Sequence, residues 1–184
     1  MKTKHILILF TIVALIQLFV PAQMIFNREV VLNEGKVFKF KTMPIDPSDP
    51  FKGKYIYLNY EVDGFTTYDS SWKRGEAIYV ELTTDSFGFA EAVSVSRTAL
   101  EGKDYTLAKV DWYDKGLNEV QFTFPFTEFY MDETKAYDAE VAHRDAQRDS
   151  LPNNTYAKVY IKDGEAVLDN VFINDIPISD YVEQ

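Results

Sequence analysis

Hydrophobic positions along this chain take three forms: one long uninterrupted run, a series of alternating segments, and one polar helical stretch. From Ile6 to Phe26 the residues are apolar with Gln17 and Gln23 the only strongly polar exceptions. At ~1.5 Å rise per residue such a run reaches about 30 Å, the depth of a bilayer's hydrocarbon core. Val30, Val31 and Leu32 continue it past Arg28 and Glu29 to Gly35. The pattern predicts a membrane-spanning helix, prolonged to residue 34 and stopped by a glycine C-cap.

Beyond Gly35 the period falls to two. In Lys54–Val62 the set Ile56, Leu58, Tyr60 and Val62 alternates with Tyr55, Tyr57, Asn59 and Glu61, the signature of a half-buried strand. Ala77–Thr83 repeats it with Ile78, Val80 and Leu82 inward. Phe87–Ser96 does so with Phe89, Val93 and Val95, and its opposite set Gly88, Ala90, Ala92 and Ser94 is small enough for close packing. Tyr105–Tyr113 and Leu117–Phe124 are joined across Asp114-Lys115-Gly116, and Tyr156–Lys162 and Glu165–Ile173 across Asp163-Gly164. Asp-Gly between alternating runs marks a hairpin. Asp132–Arg148 breaks the rhythm: rich in Ala, Glu, Asp and Arg, free of Gly and Pro, and offering Glu140–Arg144 at i,i+4, it predicts an exposed helix that carries His143. Tyr137 and Val141 would seat it on the sheet, and Ala139, Ala142 and Ala146 would allow close approach.

The expected architecture is therefore mainly β: a transmembrane helix, then an antiparallel sandwich or barrel-like domain with one helix. Residues 1–5 form a short basic tail, 6–34 the spanning helix and its extension, and 36–184 one domain. No internal repeat or Gly/Ser linker divides the latter. Lys2 and Lys4 before the apolar run resemble a signal-anchor, which places the tail inside and the domain outside the cytoplasm. The alternative is cleavage near Ala22, in Val20-Pro21-Ala22 before Gln23, which would release a secreted domain.

Charge and composition narrow the partners. With Lys+Arg 19 against Asp+Glu 29, the net charge of −10 repels nucleic acid and most of an anionic leaflet. The expected contacts are the lipid bilayer, through Ile6 to Phe26, and another protein. Without cysteine there is no lipobox, disulfide, thiolate zinc site or Cys nucleophile. A domain of ~150 residues can nonetheless build a sufficient core. His5 lies beside the membrane, which leaves His143 as the one imidazole for catalysis, and no carboxylate spacing singles out a glycosidase pair. Phosphate loops and histidine zinc motifs are absent, and no D-x-D-x-D-G loop marks calcium, so neither cofactor nor metal is expected.

The most distinctive stretch is Thr42-Met43-Pro44-Ile45-Asp46-Pro47-Ser48-Asp49-Pro50-Phe51-Lys52-Gly53-Lys54-Tyr55, whose prolines stiffen the backbone while Asp46 and Asp49 can cap local amides. Gly53, Tyr55, Leu58 and Tyr60 within it resemble the motif of GDYXXLXY-domain proteins, with Lys54 where that name places Asp. Phe129-Tyr130-Met131-Asp132-Glu133 and Glu140 are similar to the family's aromatic and downstream Glu pattern, although Asp132 and Thr134 stand at its usual Pro and Gly. The resemblance implies a bacterial membrane-anchored domain without established catalysis, working beside membrane or envelope proteins. Two arrangements of the motif stay open. In one, Leu58 and Tyr60 are core and Tyr55 packs on the proline loop; in the other, Asp46, Asp49, Gly53 and Tyr55 form one wall of a site facing Glu133 and Glu140. The first suits a protein-binding domain. The second suits a small hydrolase or a sugar- or metal-binding module built on carboxylates and tyrosines.

Overall fold

The computed structural model describes residues 3–43, 55–131, 133–148 and 155–182, without the side chains of Tyr55, Glu133, Thr134, Ala136, Tyr137, Gln147 and Arg148. The apolar run forms α1 (Thr3–Glu34), which continues through Pro21 without a break. Its residues from Ile6 to Phe26 are exposed almost throughout, and among the described residues it is the one helix long and apolar enough to cross a membrane. Among the described residues, its last turns are where it meets the domain. Val31 is buried, and Glu34 is paired with Lys162.

Gly35 ends this helix, but not by the left-handed conformation expected of a C-cap glycine, since its φ is not positive. Its amide continues the helical ladder to the Val31 carbonyl at 2.9 Å. A Cβ here would lie 2.3 Å from that carbonyl oxygen and 3.2 Å from the backbone of Ile161. Space, rather than handedness, requires glycine. The chain passes directly from it into β1 (Lys36–Met43), so no linker separates α1 from the domain.

The remaining elements are β2 (Tyr55–Tyr57), β3 (Asn59–Tyr60), β4 (Gly64–Thr66), β5 (Ala77–Thr84), β6 (Ala90–Ser96), β7 (Tyr105–Asp114), β8 (Glu119–Thr123), β9 (Glu128–Tyr130), α2 (Glu133–Arg148), β10 (Thr155–Lys162), β11 (Glu165–Ile173), β12 (Ile176–Pro177) and α3 (Ile178–Tyr181). Among the described residues these make one sheet in the order β12-β11-β10-β1-β3, a second in the order β4-β8-β7-β5-β6, and the ribbon β2-β9, with every strand pairing antiparallel. Isolated parallel bridges, Lys39 to Phe89 and Thr106 to Gly164, link the two larger sheets. Both sheets face one core, where Phe38, Phe40, Val159 and Ile173 meet Ile78, Val80, Val110 and Phe122. The fold is mainly β, as the alternation predicts, and one sheet is nearly barrel-shaped.

Both expected hairpins form. Asp163 (φ 50°) and Gly164 (φ 86°) make a two-residue connection with both residues left-handed, the type I′ combination that matches strand twist. In the β7–β8 connection the left-handed residue is Asn118 (φ 53°) rather than Gly116. Asp114 Oδ1 accepts the Gly116 and Leu117 amides at 2.7 and 3.1 Å and turns the chain instead.

Four expectations need correction. The Lys54–Val62 strand is interrupted at Leu58, because β2 pairs with β9 whereas β3 pairs with β1; the inward set Ile56, Leu58 and Tyr60 survives the change of partner. Val93 is 48% exposed rather than inward, since the ladder pairs Glu81 with Ser94 and Leu82 with Ala92 and leaves Val93 as the extra residue of a bulge. Arg144 is ion-paired with Asp145 rather than Glu140, at 3.8 Å. His143 is 2% exposed and hydrogen-bonded through Nε2 to Thr42 Oγ1 at 3.1 Å. With Ala139 and Ala146 it lies on the face that α2 turns to the core, so the helix is seated through its small residues and this imidazole.

Candidate functional site

Of the residues singled out by the motif, Asp46, Asp49 and Gly53 lie outside the described residues, as do the side chains of Tyr55 and Glu133. The backbone of Tyr55 pairs with Tyr130, and Glu133 opens α2. Leu58 and Tyr60 are core. The Tyr60 ring packs against Phe40, Phe124 and Phe126 at centroid distances of 5.5, 6.1 and 5.4 Å, and its hydroxyl donates to the Phe126 carbonyl at 2.6 Å. Burial, with a smaller contribution from Tyr57, pushes its phenol far above the ordinary tyrosine range, so it stays protonated and serves as a pin. Glu140 is exposed on α2.

Immediately beside this strand is an open groove of about 220 Å³. Leu58, Tyr60, Phe122 and Phe124 contribute to its lining, together with Tyr57, Trp112, Asp63 and Asp111. Trp112 is 58% exposed and Tyr57 43%. Large rings on that scale of exposure, next to a hydrophobic base, make the groove a candidate binding surface. The β2–β9 ribbon adds Tyr130, 64% exposed, whose hydroxyl donates to Glu128 at 2.5 Å.

A bulge explains how two successive residues come to line one groove. Along β7, Thr106, Ala108 and Val110 point inward, and regular alternation would bury Trp112 as well. The ladder instead pairs Val110 with Phe122 and Trp112 with Gln121, leaving Asp111 as the extra residue. The phase flips, and Trp112 joins Asp111 at the groove. Asp111 is held there by the Thr123 hydroxyl, which donates to it at 2.6 Å. Asp63, an exposed residue that also lines the groove, has its carboxyl raised above the ordinary range, chiefly by desolvation and further by the charges of Glu119 and Asp111, against the lowering effect of a backbone hydrogen bond. Sequence reasoning missed Trp112, Tyr57, Asp63 and Asp111. The available signal was a large aromatic beside an acid near a strand end, and the pairing of β7 with β8 is needed to interpret it.

A larger depression of about 530 Å³ adjoins Arg97, Lys73 and Glu76, but its central charge is already committed. Arg97 lies 3.8 Å from the Trp72 ring centroid, bonds Asp69 at 2.5 Å and Glu76 at 2.7 Å, and lowers the Asp69 carboxyl to about 2. This arrangement locks the 69–76 loop onto β6. The groove beside the motif strand is the better candidate.

Taken together, these features define a β-rich domain carried directly on an apolar helix long enough to cross a membrane, with an aromatic and acidic groove beside a buried tyrosine-pinned strand. The chain belongs to the GDYXXLXY protein family, whose model matches residues 17–171. Comparison with curated proteins and with solved structures gives no match.

Proposed function

We propose that this is a non-catalytic, single-pass membrane protein whose extracytoplasmic domain binds or supports another membrane or envelope protein. The observation that carries this proposal is the shape and chemistry of the groove: open to solvent, floored by core residues, and flanked by the exposed rings of Trp112 and Tyr57. Aromatic residues presented at a surface are the usual anchors of protein interfaces. The direct join of α1 to β1 favours the same role, because it holds the domain at a fixed place beside the bilayer.

Site-directed photocrosslinking in native membranes tests it. A photoreactive residue at position 112 of the full chain should yield a discrete adduct with another protein, and one at exposed Glu165 should not. Equal labelling at both positions, or none at position 112, would overturn the role.

A further inference from the structure

We infer, resting on the partner-binding role above, that the groove receives a lysine- or arginine-bearing segment of the partner protein, its cationic head seated between Trp112 and the carboxylates of Asp63 and Asp111. The groove combines the two surfaces such a side chain needs. Exposed aromatic faces at Trp112 and Tyr57 can take an ammonium or a flat guanidinium, and the apolar lining from Leu58 and Phe122 can take the methylene stem.

The charge balance selects the occupant. Among the described lining residues are two carboxylates and no lysine or arginine. Several other surface acids are already paired: Asp69 and Glu76 by Arg97, Glu81 by Lys103, and Asp104 by Lys36. Asp63, Asp111 and neighbouring Glu119 form no ion pair among the described residues, and they disfavour one another's charge at Asp63. A cation arriving from outside would relieve that repulsion, whereas a neutral saccharide would leave it and an anionic segment would increase it. The bulge at Asp111 supplies an independent indication, because it turns Trp112 out of the core and sets an aromatic ring and a carboxylate side by side on one wall. The net charge of −10 adds long-range attraction for a basic segment.

The test uses the full chain in mild detergent with 15N-labelled tryptophan, the Trp112 indole signal being identified by its loss in Trp112→Phe. Three probes are titrated: a blocked hexa-arginine peptide, a hexa-glutamine peptide and maltohexaose. The arginine peptide should shift the Trp112 signal, and the double variant Asp63→Asn, Asp111→Asn should weaken its midpoint about tenfold. The double variant Glu91→Gln, Glu165→Gln makes the same charge change at exposed carboxylates outside the groove and should alter the midpoint less than about twofold, as screened surface charges do. Equal losses in both double variants, an equal response to hexa-glutamine, or a response to maltohexaose alone would overturn the inference. If crosslinking at position 112 persists undiminished in Asp63→Asn, Asp111→Asn, partner binding stands and the cationic occupant is rejected. If the parent chain gives no adduct at position 112, the role itself falls.

Discussion

Acidification should loosen the contact between α2 and β1, because His143 is buried as a neutral ring. The imidazole is 2% exposed, and burial lowers it from 6.5 to about 4. An unfolded chain therefore takes up this proton before the folded one does. Stability contributed by the neutral ring is complete well above 6.5 and is lost as pH falls toward 4. Over the whole interval the loss approaches about 3 kcal/mol, of which about 2 kcal/mol falls between pH 7 and pH 5. Urea unfolding of the full chain in detergent, followed by near-ultraviolet circular dichroism across that range, measures it against His143→Gln. Glutamine can still bond Thr42 but does not titrate. Carboxylates such as Asp69, Glu76 and Glu81, whose protonation is displaced below the ordinary range by their Arg97, Lys73, Lys103 and Ser94 contacts, respond to acid in both proteins and cancel in the difference. A difference between parent and variant that stays level from pH 7 to pH 5 would refute the burial of this histidine and the seating of α2 on Thr42.

Tyr60→Phe should destabilise the domain by about 1–2 kcal/mol, because it leaves the Phe126 carbonyl without its buried donor, and chemical denaturation would measure the loss. Gly164→Ala combines an unfavourable left-handed backbone with a Cβ only 2.6 Å from the Tyr105 ring. A cost of about 1–2 kcal/mol from backbone conformation alone is expected, with a lower thermal midpoint as the readout. Gly35→Val should do still more damage at the junction, where the added carbon meets backbone rather than a movable side chain, and should leave the domain open to limited proteolysis after residue 34.

The regular parts of this fold are legible in the residues, and the irregular parts decide the site. Alternation in Ala77–Thr83 correctly assigns Ile78, Val80 and Leu82 inward, and Asp163-Gly164 marks its hairpin, because both signals are local. β1 is equally available in Phe38, Phe40 and Thr42 alternating with Lys39 and Lys41, but the lysines at outward positions 39 and 41 obscure it. The structure shows how the strand tolerates them: Lys39 and Lys41 extend over the rings of Tyr156 and Phe89 at 4.6 and 4.9 Å. The bulges at Val93 and Asp111 could not be found from a single strand, since each exists only relative to a pairing partner. His143 misleads for a related reason. A helix whose inward face is mostly alanine has little hydrophobic stripe, so its polar buried residue looks like part of the solvated side.

On the proposed role, the apolar helix stays in the mature protein and holds the domain at the bilayer. Intact-mass measurement of the protein extracted from the membrane fraction tests this most directly. A mass that retains Ile6–Phe26 is the predicted result. A water-soluble species whose mass begins after Ala22 would contradict it.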